Sequence, residues 1–255
     1  MLIKVKKMKF NESAAWILVD EIRVYLNSLE KDIQDDITSV VVFGSLVRGD
    51  FIPGISDIDL LVVFKNETPI DTINEILSGI YKIAEKWKGL SKYEKVIDIP
   101  WLFEKDLPLK GSEKKSPFKF LGIYAFDFVI HYKVIFGKDI AKNLRVPNPK
   151  ELIKERANRI LKLLEKWSKE KNHYMIKILA GEAIRLAQIA FGEVTIDKRK
   201  VFKNFIKYVP EYSMKHFARE IWKEYLSPEI RTDPEYIENC KKFVKATINM
   251  IYQHY

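Results

Sequence analysis

Cysteine is almost absent from this 255-residue sequence, in which Cys240 stands alone. An intrachain disulfide is therefore excluded, and no Cys/His cluster has the spacing of a zinc site. Long apolar runs are missing too, since none approaches the roughly 18 to 20 residues that a membrane-spanning helix needs. The apolar part of the opening segment, MLIKVKKMKF, is too short for a secretory signal, so we expect a cytoplasmic protein.

The composition provides both a core and a charged surface. Hydrophobic residues make up 47% of the chain and charged residues 31%, and the length allows one large domain or two small ones. The net charge of +9 is uneven: residues 1–146 hold 22 Lys and Arg against 21 Asp and Glu, whereas residues 147–255 hold 22 against 14. Such a basic half attracts polyanions such as nucleoside triphosphates or RNA, although it is often only a solvated helical surface.

The prolines at 147 and 149 predict a domain boundary, because each lacks an N–H group and biases the residue before it away from helix. We therefore expect one domain over residues 1–146 and a second over 147–255. Helical spacing of apolar residues predicts that the second is an all-α bundle, with its helices at 151–167, 173–191, 198–207, 214–225 and 234–252.

In the first domain, strands and helices alternate along the chain. Apolar, β-branched runs predict three buried strands, at residues 38–43, 58–64 and 94–101. Helical periodicity predicts three helices, at 11–30, at 72–87 and, as one long helix, at 118–135. Strands and helices therefore alternate in this domain.

The stretch VVVFGSLVRGDFIPGISDIDLLVVF, residues 40–64, carries the chemistry. Asp57 and Asp59 are separated by one residue, so on an extended strand both carboxylates point to the same side and can hold one divalent metal ion. Gly44 and Ser45 end the preceding strand in a small turn, which leaves backbone N–H groups and a hydroxyl for phosphate oxygens. The stretch predicts a site for phosphoryl chemistry.

Gly44-Ser45, eleven residues and then Asp57-Ile58-Asp59 between apolar strands resembles the nucleotidyltransferase superfamily related to DNA polymerase β. The strings GSLVRGDF and SDIDLLV are most similar to its small-molecule branch, the two-domain proteins like the aminoglycoside nucleotidyltransferases. The resemblance implies the fold class α+β. It implies a polymerase-β-like nucleotidyltransferase domain over 1–146, with a small mixed sheet flanked by helices, and a helical substrate-binding domain over 147–255.

The resemblance also implies roles for individual residues. Asp57 and Asp59 would bind the metal ions, Mg²⁺ or Mn²⁺, that accompany the triphosphate. Asp98, in the apolar string VIDIP, matches the family's third carboxylate, which completes the metal site and can act as general base; Glu94 and Glu104 are its rivals.

On the phosphate side, Gly44 and Ser45 would cradle the nucleotide, and Arg48 would approach a phosphate as a fixed positive charge. A pair between Arg48 and Asp50 is nearly as good an interpretation of that arginine. Retention of all three acids favours an active enzyme over a degenerate site.

Other candidates have open interpretations. Asp127 and His131 would share a face of the long helix, where a buried hydrogen bond between them is favoured over a catalytic role. Glu182 and Arg185 interrupt an apolar pattern and either line an acceptor pocket or form a solvated stripe. Aromatic residues such as Trp167 and Tyr174 could stack on a ring, but at helical spacing they are usually core.

The predicted function is metal-dependent transfer of a nucleoside monophosphate from a nucleoside triphosphate to an acceptor hydroxyl, with release of pyrophosphate (an enzyme of the EC 2.7.7 type). A small-molecule acceptor is favoured, since no separate RNA-binding module is recognisable. Transfer to a protein or to RNA, and a nucleotide-binding regulatory protein without transferase activity, are the alternatives.

Overall fold

The computed structural model describes residues 12–87, 96–209, 212–227 and 231–255. The chain divides into two compact units. The first comprises the described residues up to Lys114 together with Phe128–Leu144, and the second comprises Lys115–Asp127 and the described part of Arg145–Tyr255. The second unit thus takes in a segment that the predicted division into 1–146 and 147–255 assigns to the first domain.

The first unit is built on a mixed sheet, as predicted. Strand β1 (Ile37–Phe43) runs antiparallel to β2 (Ile58–Phe64) on one side and to β5 (Tyr132–Gly137) on the other. Two short strands, β3 (Ile97–Asp98) and β4 (Trp101–Phe103), follow one another along the free side of β2 and run parallel to it. All seven residues of β1 are buried, which fits a central strand covered on both faces.

The described part of this unit contains four α-helices: α1 (Glu12–Ser28), α2 (Lys31–Asp36), α3 (Ser45–Arg48) and α4 (Ile70–Glu85). Helices α1 and α4 each bury one apolar stripe, which includes Leu18 and Ile22 in α1 and Ile73 and Ile76 in α4. These stripes join alternate residues of β1 and β2 in one hydrophobic core. This is the arrangement that the sequence periodicity predicts.

The prediction of one long helix over residues 118–135 is wrong. The segment instead forms a 3₁₀ turn (Lys119–Leu121), the short helix α5 (Ala125–Phe128) and strand β5. Its apolar side chains are shared between two cores, since Ile123 and Tyr124 pack in the second unit and Ile135 packs in the first. One straight helix cannot serve both, and the β-branched residues near its end complete the sheet beside β1.

The third predicted strand, at 94–101, is interrupted. Residues 94 and 95 lie outside the described part of the chain, and the remainder splits into β3 and β4 at Ile99-Pro100. Pro100 has no N–H group for the ladder, although its carbonyl oxygen still accepts from the N–H of Val62 at 3.1 Å.

Among its described residues, the second unit has five long helices: α6 (Ile153–Lys169), α7 (His173–Phe191), α8 (Lys198–Tyr208), α9 (Tyr212–Tyr225) and α10 (Pro234–His254). Helix α7 is central: it packs against each of the other four, and every residue from 179 to 190 is buried. Gly181 lies directly under the ring of Tyr225, where a Cβ atom would overlap the ring. The α+β class with a C-terminal helical bundle is confirmed.

Candidate active site

The Gly-Ser turn lies where β1 ends. Gly44 has φ 76° and ψ −147°, a backbone conformation that side-chain-bearing residues rarely adopt, and α3 starts at Ser45. A Cβ atom at Gly44 would overlap the Oδ2 atom of Asp59. The glycine is therefore required twice, by its torsion angles and by the carboxylate packed against it.

Asp59 and Asp98 are direct neighbours across the sheet. In the parallel pairing of β2 with β3, Asp59 lies opposite Asp98, and on the other side of β2 Asp59 lies opposite Phe43, the last residue of β1. In-register residues of adjacent strands point to the same face, so the two carboxylates share one face of the sheet. Asp57 precedes β2 by one residue.

The surroundings of these acids alternate as the sequence predicts. Ile58 and Leu60 are fully buried and Ile97 and Ile99 nearly so, whereas Asp57, Asp59 and Asp98 are each half-buried. Half-buried carboxylates on one face of a sheet repel one another, and a cation among them stabilises their charged form.

The donor chemistry fits a hard divalent cation, because carboxylate oxygens are the ligands that Mg²⁺ and Mn²⁺ prefer. Across the described ranges, no three Asp, Glu, His or Cys side chains converge into a ready-made metal cluster. Mg²⁺ is usually held by one or two carboxylates together with substrate phosphates, so the aspartates fit a site that a triphosphate completes.

Arg48 is paired with Asp50. Its Nη2 atom lies 2.9 Å from the Oδ1 atom of Asp50, and the two side chains are 6% and 1% exposed. This is the alternative that the sequence leaves open for Arg48, and contact with a phosphate stays a prediction. Breaking such a buried pair from one side typically costs about 3–5 kcal/mol, because it leaves a buried charge without its partner.

The loop before Asp57 is held by a serine. The backbone N–H of Ile52 donates to the Oγ atom of Ser56 at 3.0 Å, and the N–H of Ser56 donates to the carbonyl oxygen of Ile52 at 2.8 Å. These two bonds close the loop and determine how the chain enters β2.

Glu104, a rival for the third acid, lies elsewhere. It follows β4, whose Phe103 pairs with Phe64, five residues along β2 from Asp59, or about 16 Å at the rise of a strand. The hydroxyl of Thr38, at the start of β1, donates to Glu104 at 2.7 Å. The other rival, Glu94, lies outside the described residues. Of the two described candidates, Asp98 alone lies beside Asp59.

In the second unit, Glu182 is the centre of a buried ion cluster. Its carboxylate lies 2.8 Å from Arg156, 3.1 Å from Arg185 and 3.4 Å from Lys119, and the hydroxyl of Tyr124 donates to it at 3.1 Å. Burial alone would raise the pKa of Glu182, but the three cations hold that pKa well below its usual range. The solvated stripe proposed for Glu182 and Arg185 is wrong, since their side chains are 3% and 9% exposed.

Sequence reasoning missed three members of this cluster: Lys119, Tyr124 and Arg156. They are separated from Glu182 by 26 to 63 positions, and nothing in their local sequence indicates the contact. Burial and the neighbouring carboxylate also raise the pKa of Tyr124, so this tyrosine remains a hydrogen-bond donor.

The structure also shows where three other candidates from the sequence lie: Asp127, His131 and Trp167. Asp127 is buried in α5 and His131 follows it in a bend, so the shared helix face predicted for them does not exist. Trp167 packs against the helical core, in agreement with its core interpretation. A shallow cleft in this unit lies at the ends of three helices, and Glu182 and Arg185 do not line it; the cleft is lined by Phe191, Tyr208, Met250, Gln253 and His254.

No helix in the described ranges has the length and apolarity to cross a membrane. Comparison with curated proteins gave no match. Among solved structures, the fold is similar to that of spectinomycin adenyltransferase AAD(9) from Enterococcus faecialis, crystallised with ATP and spectinomycin. The TM-score is 0.66 at 15% identity, over 94% of this chain and 100% of that one.

At that identity the likeness concerns the fold, and it agrees with the predicted resemblance to the aminoglycoside-nucleotidyltransferase-like branch. The sequence itself matches the family model of the nucleotidyltransferase domain over residues 19–116, which include Gly44, Asp57, Asp59 and Asp98. The predicted resemblance and the predicted enzyme class, a nucleotidyltransferase, are thereby confirmed for the matched segment: residues 19–116 match the nucleotidyltransferase domain.

Proposed function

We propose that the protein transfers a nucleoside monophosphate from a nucleoside triphosphate to a hydroxyl group of a small molecule, with release of pyrophosphate. The observation that carries this proposal is the in-register pair of Asp59 and Asp98, with the Gly44 turn packed against Asp59. That arrangement brings two carboxylates and the backbone of a tight turn to one edge of the sheet.

In the proposed reaction, the acceptor hydroxyl oxygen attacks the α-phosphorus of the triphosphate. The bond between the α-phosphorus and the oxygen that bridges it to the β-phosphorus breaks, and pyrophosphate leaves with that oxygen. Asp98 accepts the proton of the hydroxyl as general base. Gly44 and Ser45 hold the phosphates of the leaving group. Divalent ions held by Asp57, Asp59 and Asp98 would supply charge stabilisation to the entering and leaving oxygens.

A small-molecule acceptor is supported by the fold, since AAD(9) was crystallised with ATP and spectinomycin and its fold spans nearly all of this chain. The helical unit would bind the acceptor. We therefore place aminocyclitol and aminoglycoside compounds first among candidate acceptors.

The test is a transfer assay with α-³²P-labelled ATP and GTP, Mg²⁺ and a panel of aminocyclitols and aminoglycosides. The wild type is compared with Asp59→Asn and with Asp20→Asn, whose aspartate lies on the exposed surface of α1. We expect labelled product from the wild type and from Asp20→Asn, and a loss of at least 100-fold in Asp59→Asn, about 2.7 kcal/mol in the barrier. Equal transfer by all three proteins would refute the assignment of the site.

A further inference from the structure

Helix α6 has two opposite faces of different character. Ile153, Ala157, Ile160 and Leu164 are buried in the core of the helical unit. The exposed side of the same helix carries four cations: Arg159, Lys162, Lys166 and Lys169. Their spacing of three, four and three residues puts them within an arc of about 80°, centred almost opposite the buried stripe. We call these four residues the basic face.

The basic face is long and regular. Ten residues separate its ends, or about 15 Å along the helix. Of the neighbouring acids, Glu155 is bound by Lys115 at 3.1 Å and Glu170 lies 3.9 Å from Lys166, while Glu165 lies at the margin of the arc. The face therefore keeps an excess of positive charge, within a half of the chain, residues 147–255, that itself has 22 basic against 14 acidic residues.

The basic face offers charge without a stacking surface. Trp167 is the one aromatic residue in α6, and it packs against the core. Proteins that grip single strands combine cations with aromatic rings on which bases stack. A row of cations on a rigid helix instead suits a regular row of phosphates, as in the backbone of a duplex.

We propose that the basic face of α6 binds the phosphate backbone of double-helical nucleic acid. The binding is electrostatic and independent of base sequence, because long flexible side chains meet phosphates rather than base edges. It is also independent of nucleotidyl transfer, so its failure leaves the proposed function untouched.

The proposal predicts how strongly duplex binding depends on salt concentration. If all four cations neutralise phosphates, log Kobs falls with log salt at a slope of about −3.6 on a B-form duplex. Replacing two of them with glutamine should reduce the slope by about 1.8, because two fewer counterions are released.

The experiment is fluorescence anisotropy with labelled 16-base-pair RNA and DNA duplexes between 50 and 300 mM NaCl. The test variant is Lys162→Gln/Lys166→Gln. The matched control is Lys200→Gln/Lys203→Gln, which removes the same charge from the exposed side of α8. Circular dichroism melts show that each protein is folded, and Arg159→Gln/Lys169→Gln replaces the test variant if that variant unfolds.

We expect the wild type to bind both duplexes, and the DNA duplex with the slope given above. The test variant should bind at least tenfold more weakly, and the control should stay within twofold of the wild type. Equal weakening by both variants would show that net charge alone acts, and would overturn the proposal. Absence of duplex binding at 50 mM NaCl, or binding to vesicles of anionic phospholipid in place of duplexes, would overturn it too.

Discussion

Gly44→Ala is the sharpest structural test of the candidate site, because this glycine is constrained in two ways. Its φ of 76° with ψ of −147° is a region where a residue with a side chain costs about 1–3 kcal/mol. A Cβ atom would also overlap the carboxylate of Asp59. Relieving such an overlap typically costs a further ~1–3 kcal/mol, so the variant should lose about 2–6 kcal/mol of unfolding free energy.

A second glycine provides the control. Gly54 has φ 78°, and a Cβ atom there would meet nothing within 4 Å. Gly54→Ala should therefore lose only the backbone cost, about 1–2 kcal/mol. Urea denaturation measures both losses, and nucleotide binding measured on the same proteins should fall in Gly44→Ala alone.

The contact itself is isolated by a double-mutant cycle with Asp59→Ala. Removing the carboxylate gives the new methyl group room, so Gly44→Ala should cost about 1–3 kcal/mol less in the Asp59→Ala background. A coupling energy near zero would refute the packing of Gly44 against Asp59.

Three further predictions concern the helical unit. Glu182→Gln should lower the free energy of unfolding in urea at pH 7 by about 3–5 kcal/mol, because it leaves three cations without a carboxylate. Since folding lowers the pKa of Glu182, the difference in unfolding free energy between wild type and variant should shrink as the pH falls below about 4.3. A difference that is unchanged down to pH 3 would contradict the cluster. The Nζ atom of buried Lys177 donates to the carbonyl oxygen of Ser227, yet burial lowers the pKa of this lysine. The unfolding free energy of the wild type should therefore rise relative to that of Lys177→Met as the pH rises towards about 10.4. A fall in this difference over the same pH range would contradict the burial of Lys177. Burial raises the pKa of the Cys240 thiol to about 11, so Ellman's reagent at pH 8 should label it only at the rate of unfolding, and immediate labelling of native protein would be inconsistent with its position.

The residues of the candidate site lie in local sequence patterns, whereas parts of the fold around them depend on contacts between distant residues. A carboxylate pair on a strand and a Gly-Ser turn are local patterns, and the separation between them in the sequence carries the resemblance to the nucleotidyltransferases. Asp98 is a candidate in the sequence because it interrupts an apolar strand and matches the family's third carboxylate, but its pairing in register with Asp59 is seen only in the structure. The pairing of Arg48 with Asp50 was an open alternative that only the structure could favour.

The sequence does not indicate contacts between residues that are far apart along the chain. The segment from residue 118 to 135 has helical length and apolarity, but its residues are shared between two cores and a sheet edge, which no local pattern indicates. The Glu182 cluster joins residues up to 63 positions apart. Buried charge of this kind depends on tertiary packing and leaves only an interrupted apolar pattern in the sequence.

The proposed reaction requires that Asp57, Asp59 and Asp98 form a metal-dependent triphosphate site. Isothermal titration calorimetry of a non-hydrolysable ATP analogue, with and without Mg²⁺, tests it most directly on the wild type, Asp59→Asn and the surface control Asp20→Asn. We predict binding that requires Mg²⁺ in the wild type and the control, and that is lost in Asp59→Asn. Equal Mg²⁺-dependent affinity in all three proteins, or no nucleotide binding by the wild type, would contradict the account.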